Sequence, residues 1–164
     1  VIELIVLDVD GCMTDGRIIY TAEGDEIKAF NVKDGFAIVN WIALGRRAAI
    51  ITGRSSKIVE RRAKELGIKH FYQGVKDKLA RLEALCDELG ITLEQVAVIG
   101  DDLNDYRMLK ACGHSFVPND AMHRVVEIAD TVLSRKGGEG AVREMIELLI
   151  LREGLEEEYL SKWL

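Results

Sequence analysis

Short apolar runs alternating with segments of helical period constrain this chain more than any other feature. The runs at Glu3–Leu7, Ala48–Ile51, His70–Tyr72, Val96–Ile99 and Ser115–Val117, with a weaker one at Thr131–Leu133, have the length and content of buried strands. Helical segments lie between them. Ser56 to Leu66 is closed by Gly67, Lys78 to Leu89 by Gly90 and Asn104 to Ala111 by Gly113, and a last helix is expected from Gly140 to Leu151. Gly just past the last apolar position is a stop signal for a helix. Strands joined through helices run parallel, so the pattern predicts an α/β fold, a Rossmann-like, doubly wound and mostly parallel sheet.

One stretch breaks the alternation. RIIYTAEGDEIKAF (Arg17–Phe30) has two strand-like runs around AEGD and reads as a β-hairpin. It does not fit the parallel winding, so it is expected to protrude. Its Ile18, Ile19, Tyr20, Ile27 and Phe30 then need a partner, and a second copy of the chain is the natural one.

Composition narrows the class. The 164 residues suffice for one domain, 1–164, with a full core. A net charge of −6 with no basic block argues against nucleic acid as a partner. No apolar run approaches the ~18 residues of a membrane span, and the first residues lack a secretory signal pattern. Cys12, Cys86 and Cys112 are odd in number and match no zinc or redox spacing, as expected of thiols in a reducing cytoplasm. The end of the chain, 152–164, reads as an acidic, frayed tail.

The first strand runs straight into Asp8, Asp10 and Asp15. Carboxylates at the end of a buried strand lose hydration and need compensation. Three more polar clusters follow strands or open helices: ITGR, the pair Asp77–Lys78, and GDDLND. In an open α/β sheet the carboxyl ends of the strands form the ligand edge, so all four clusters share one rim. Two carboxylates ~4 Å apart repel by roughly 4 kcal/mol at an effective dielectric near 20. Asp8, Asp10, Asp101, Asp102 and Asp105 outnumber Lys78, and a hard divalent cation, Mg2+, would resolve the excess.

Asp8-Val-Asp10-Gly11, Thr52-Gly53, Lys78 and Gly100-Asp101-Asp102, in that order, resemble the four motifs of the haloacid dehalogenase-like phosphatases. The resemblance implies that Asp8 is the nucleophile and Asp10 the general acid/base. It implies that Thr52 and Lys78 serve the phosphoryl group, and that Asp8, the carbonyl of Asp10 and Asp101 hold Mg2+. FNVKDG, ITGRSSKIVERRAKELGI, FYQGVKDKL and KGGEGAVRE bring the chain, from about Ile2 to Leu151, close to the branch that hydrolyses 3-deoxy-D-manno-octulosonate 8-phosphate in lipopolysaccharide synthesis. That branch is capless, cytoplasmic and tetrameric through its hairpins.

For this chain, the branch implies substrate contacts from Asp10, Asn31, Val32, Lys33, Asp34, Gly35, Arg54, Arg62 and Lys78. It also implies that the segment holding Gly137, Gly138 and Arg143 closes over a neighbouring subunit's site. Phosphatases of a nine-carbon deaminoneuraminate phosphate share the four motifs but differ around Arg54 and FNVKDG. A phospho-receiver module also gathers acids, Thr and Lys, but places its phosphorylated Asp after a middle strand; a scaffold keeping a decayed site is the other rival.

Several residues have simpler readings. Asp15 and Asp105 read as caps of turns or helices, Asp105 alternatively standing beside Mg2+ or Lys78 with Asp102 nearby. Arg61 and Lys64 read as a solvated helix face. Ile38, Trp41 and Leu44 share a helical face and read as core, and Trp163 as a packing residue. His70, His114 and His123 have no ligand spacing.

Overall fold

The structure, a computed structural model, describes residues 1–164. Strands β1 (Leu4–Leu7), β4 (Arg47–Ile51), β5 (His70–Tyr72), β6 (Val96–Ile99), β7 (His114–Val117) and β8 (Thr131–Val132) form one sheet in the order β5-β4-β1-β6-β7-β8. Every pair in it is parallel, with Leu4 opposite both Arg47 and Val96. The six expected strands are all present, their ends shifted by a residue at most.

Alternation along β1 explains why a continuous apolar run was needed. Ile5 and Leu7 face a core built with α1 (Val32–Ala43), α2 (Lys57–Leu66) and α6 (Ala141–Arg152). Leu4 and Val6 face a second core built with α3 (Lys78–Leu89), α4 (Tyr106–Ala111) and α5 (His123–Ile128). A strand covered on both faces cannot spare either side for polar residues. Gly67 and Gly90 end α2 and α3 in the left-handed conformation, as their positions predicted.

Helix α1 was legible only through the core face of Ile38, Trp41 and Leu44. Its first turn, VKDG, reads in sequence as a motif rather than a helix start, and the Asn31 side chain caps it by accepting from the Lys33 N–H. The short α5, HRVVEI, carries a β-branched pair and no clear cap, and the sequence did not reveal it. No helix is long and apolar enough to cross a membrane.

The tail corrects its expected fraying. Glu156–Leu160 forms α7, and Tyr159 is buried while Leu155 and Leu160 pack on the α1/α6 core. Trp163 lies against Phe36 with ring centroids 4.8 Å apart, and its Nε1 donates to Asn40 Oδ1 at 3.3 Å. The run of glutamates hid a helical apolar spacing that had a surface to dock on.

The hairpin is present and protrudes. β2 (Ile19–Tyr20) pairs antiparallel with β3 (Glu26–Ile27), and Ile18, Ile19, Tyr20 and Ile27 are exposed. Phe30, at its base, instead packs against the main core beneath the Arg62 guanidinium.

Candidate active site

The strand order places β1 between β4 and β6, so the loops leaving these three strands meet at the sheet's carboxyl edge. After β1 the chain makes one tight irregular turn, Val9–Met13, with Gly11 at φ +92°. That glycine is required twice over. The conformation favours Gly, and a Cβ there would sit 1.8 Å from Asp101 Oδ2. Its absence lets Asp101, arriving after β6, stand against the Asp8 turn.

A cleft of about 260 Å³ opens at this edge, lined by Asp8, Asp10, Gly16, Thr52, Gly53, Arg54, Asp101, Asp102 and Asn104. Not one lining residue is hydrophobic. Beneath it, Lys78 at the start of α3 is buried with its Nζ 2.9 Å from Asp8 Oδ1 and 2.6 Å from Asp105 Oδ1. Asp105 has both roles considered for it: it holds Lys78, and its Oδ2 accepts from the N–H groups of Asp101 and Asp102 at 2.9 and 3.4 Å. Asp102 caps the following turn by accepting from Leu103 N–H. Asp15 belongs to its turn, accepting from Arg17 N–H at 3.0 Å.

The charges do not balance. Burial pushes the Asp8 carboxyl well above the usual range, and Asp105 and Asp101 push it further, against the pull of Lys78. Burial, with Asp105 and Asp102 behind it, raises Asp101 to about 6. Burial by itself would lower the Lys78 ammonium, but Asp8 and Asp105 outweigh it and raise it. Asp8, Asp101 and Asp105 share one ammonium, so a divalent cation matches the surplus.

The donors fit a hard cation. Asp8 and Asp101 offer carboxylate oxygens, and with the Cys12 Sγ their ligand atoms lie within 4.8 Å of one another. Cys12 itself is no ligand for such an ion. Burial, then Asp8, pushes its thiol well up, and it stays an S–H whose sulfur is 4.0 Å from Asp8 Oδ2.

Other sequence-derived candidates fall in different places. Arg54 lines the cleft from the loop before the Ser56 cap of α2. Arg62 lies instead against Gly35, where an added Cβ would meet its Nη2 at 2.4 Å, and beside a groove toward Trp163. Val32 and Lys33 are exposed. The Asp34 carboxylate is buried and outside the cleft lining, its Oδ1 accepting from Arg143 N–H at the start of α6.

Gly137 and Gly138 pack on the Val9–Met13 turn of their own chain. A Cβ on Gly137 would lie 1.8 Å from Gly11 O, Gly138 N–H donates to Cys12 O, and Asn31 Nδ2 donates to Gly138 O. None of the three histidines lines the cleft. Arg61 and Lys64 pair with Glu65 and Glu60 on an exposed face, as read.

Sequence reasoning missed Lys28. Its Nζ lies 2.6 Å from Asp10 Oδ1 and 3.0 Å from Glu26 Oε1. The available signal was an acid and a base two residues apart, hence on one face of an extended segment. A two-residue strand pair at the edge of a loop gave no means of aiming that face.

A family model described as haloacid dehalogenase-like hydrolase matches residues 70–146. The chain is 44% identical over 157 residues to the 3-deoxy-D-manno-octulosonate 8-phosphate phosphatase KdsC of Escherichia coli (strain K12), covering 96% of this chain and 84% of that protein. The phosphatase of that description from Moraxella catarrhalis, solved in complex with magnesium ion, phosphate ion and KDO, matches with a TM-score of 0.97 and 42% identity over 99% of this chain and 94% of that one. The corresponding structure from Yersinia pestis matches with a TM-score of 0.91 and 46% identity, covering 94% and 84%.

Proposed function

Because the chain belongs to the 3-deoxy-D-manno-octulosonate 8-phosphate phosphatases within the haloacid dehalogenase-like hydrolases, we infer that it hydrolyses that phosphomonoester to KDO and phosphate with Mg2+ as cofactor. One observation carries the chemistry: buried Lys78 bridges Asp8 and Asp105 directly beneath a wholly polar cleft. A receiver module has the strand order 2-1-3-4-5. Here the first strand of the sheet has the second and fourth as neighbours, which is a different winding.

In the mechanism we propose, the Asp8 carboxylate attacks phosphorus and the bond to the sugar oxygen breaks as Asp10 gives that oxygen a proton. Asp10 then takes a proton from water, which attacks the aspartyl-phosphate, releasing phosphate and restoring Asp8. Thr52 donates its hydroxyl to the phosphoryl oxygens, and Lys78 keeps Asp8 oriented and ionised. Asp8, the Asp10 carbonyl and Asp101 would hold Mg2+, which when bound offsets the charge gathered between carboxylates and phosphate. Asn31, Val32, Lys33, Gly35, Arg54 and Arg62 meet the sugar-acid end, the two guanidiniums being suited to its carboxylate. Asp34 works behind them by joining α1 to α6.

The reading extends to the assembly. Residues 1–164 form one catalytic domain, with the hairpin at about 17–30. Four exposed apolar side chains on that hairpin support a homotetramer joined there, and three free cysteines support a cytoplasmic setting.

Phosphate release with Mg2+ from 3-deoxy-D-manno-octulosonate 8-phosphate, against a panel including deaminoneuraminate 9-phosphate, tests the substrate. A kcat/KM preference of about a hundredfold, ~2.7 kcal/mol, is expected, and a flat profile would overturn it. EDTA should abolish turnover and Mg2+ restore it.

A further inference from the structure

Packing explains the hairpin less well than any other part of the molecule. Each of its strands is two residues long and its apolar side chains face outward, so it has no core of its own. Yet the Lys28 side chain beside it is only 1% exposed. Immobilising so long a side chain costs much of its rotamer freedom. Its contacts must offset that cost.

Those contacts form a ring of charge around Asp10. Lys28 Nζ donates to Asp10 Oδ1 at 2.6 Å. Glu26 Oε1 receives Lys28 at 3.0 Å and Arg54 Nη2 at 3.1 Å, and Arg54 Nε stands 3.8 Å from Asp10 Oδ2. Each oxygen of Asp10 thus faces a different cation, and Glu26 ties the two cations together. Oδ1 is held at ordinary hydrogen-bond length, whereas Oδ2 has only a long contact and is the oxygen left for other work.

We propose that Lys28 is a positioning residue for the phosphatase reaction, fixing the rotamer of Asp10 so that proton transfer to the leaving sugar oxygen runs through Oδ2, with Glu26 holding Lys28 and Arg54 in register. The inference rests on Asp10 acting as the acid/base. Lys28 keeps its three protons throughout. Its ammonium can donate to Oδ1 whether or not Oδ2 carries the proton, so the contact serves both halves of the cycle. The base of the hairpin is therefore part of the catalytic site, in addition to any role of its outer face.

The test uses two esters that differ in need for a proton donor. The sugar alkoxide leaves poorly without one, whereas 4-nitrophenolate leaves unaided. Rapid-quench measurement of phosphoenzyme formation should show Lys28→Met slower by about 10- to 100-fold on 3-deoxy-D-manno-octulosonate 8-phosphate, less than the ~10²- to 10⁴-fold of a general acid itself, because Asp10 remains in place. On 4-nitrophenyl phosphate it should stay within about threefold of wild type, with KM for both esters unchanged. Lys28→Arg should recover part of the loss, and Glu26→Gln should show the same split at smaller size. Equal slowing on both esters, no slowing on either, or a change in KM alone would overturn the proposal. Asp10→Asn run in parallel separates the two levels: a split there without one in Lys28→Met removes only the role of Lys28, and no split there removes the acid/base assignment beneath it. Should Lys28→Met fail to fold by circular dichroism, absence of the split in Glu26→Gln overturns the proposal.

Discussion

The carboxyl edge of the sheet and the base of the hairpin both deliver charge to one cleft, by different means. At the sheet edge, Asp8, Thr52 and Lys78 are buried and Asp105 is fully so, Asp8 and Thr52 each following a strand packed on both faces. At the hairpin, Lys28 and Glu26 leave a two-residue strand held chiefly by ion pairs with Asp10 and Arg54. The first arrangement is stiff because neighbouring side chains fill the space around it. The second keeps its geometry only while its charges are intact, so the two parts should fail differently.

Removing the Asp8 carboxylate should have the largest effect and leave the fold alone. Asp8→Asn is isosteric, keeps an acceptor for Lys78 and removes one of three acids around it. Turnover should fall on the order of 10⁴-fold, while the melting temperature holds or rises; near-wild-type phosphate release would remove Asp8 from its role. Lys78→Met breaks the same cluster from the other side. It leaves Asp8 and Asp105 buried without their cation, and urea unfolding should report a loss of about 3–5 kcal/mol. A loss below ~1 kcal/mol would mean that the edge is no stiffer than the hairpin.

Asp34 separates packing from chemistry. Burial raises its carboxyl to about 6, and the backbone N–H of Arg143 and the Arg62 charge only partly oppose it. A raised acid contributes stability below its unfolded value near ~3.9, lost as pH rises through about 6. Asp34→Asn keeps the acceptor for Arg143 N–H and removes that decline. Its melting temperature should therefore fall less than that of the wild type between pH 4 and pH 7, on a scale of up to ~3 kcal/mol. An unchanged pH slope would contradict this account.

The smallest effect belongs to the exposed side of the ring. The Arg54–Glu26 pair has a guanidinium 43% exposed, and such pairs contribute ~1 kcal/mol at most. Arg54→Ala should leave unfolding free energy within that margin while raising KM for the sugar acid. A large stability loss would show that the hairpin depends on this pair alone.

Local spacing made much of this visible beforehand. Short apolar runs alternating with helical segments identified all six strands of the sheet, and acids placed directly after β1 and β6 marked its ligand edge, because burial on both faces leaves a strand only its end for polar residues. The places of Asp8, Asp10, Thr52 and Asp101 were legible for the same reason, and that of Lys78 because it opens a helix. Lys28, the inward turn of Asp34, the packing of Gly137 on Gly11 and the docking of Trp163 were not. Each depends on contacts between residues far apart in sequence. Sequence alone determined which strands exist and what their ends carry, since hydrophobic period and capping act within a few residues. Only the tertiary structure decided which lysine reaches Asp10 and which glycine must yield to a neighbouring backbone, since those follow from how separate elements are brought within a few ångströms of one another.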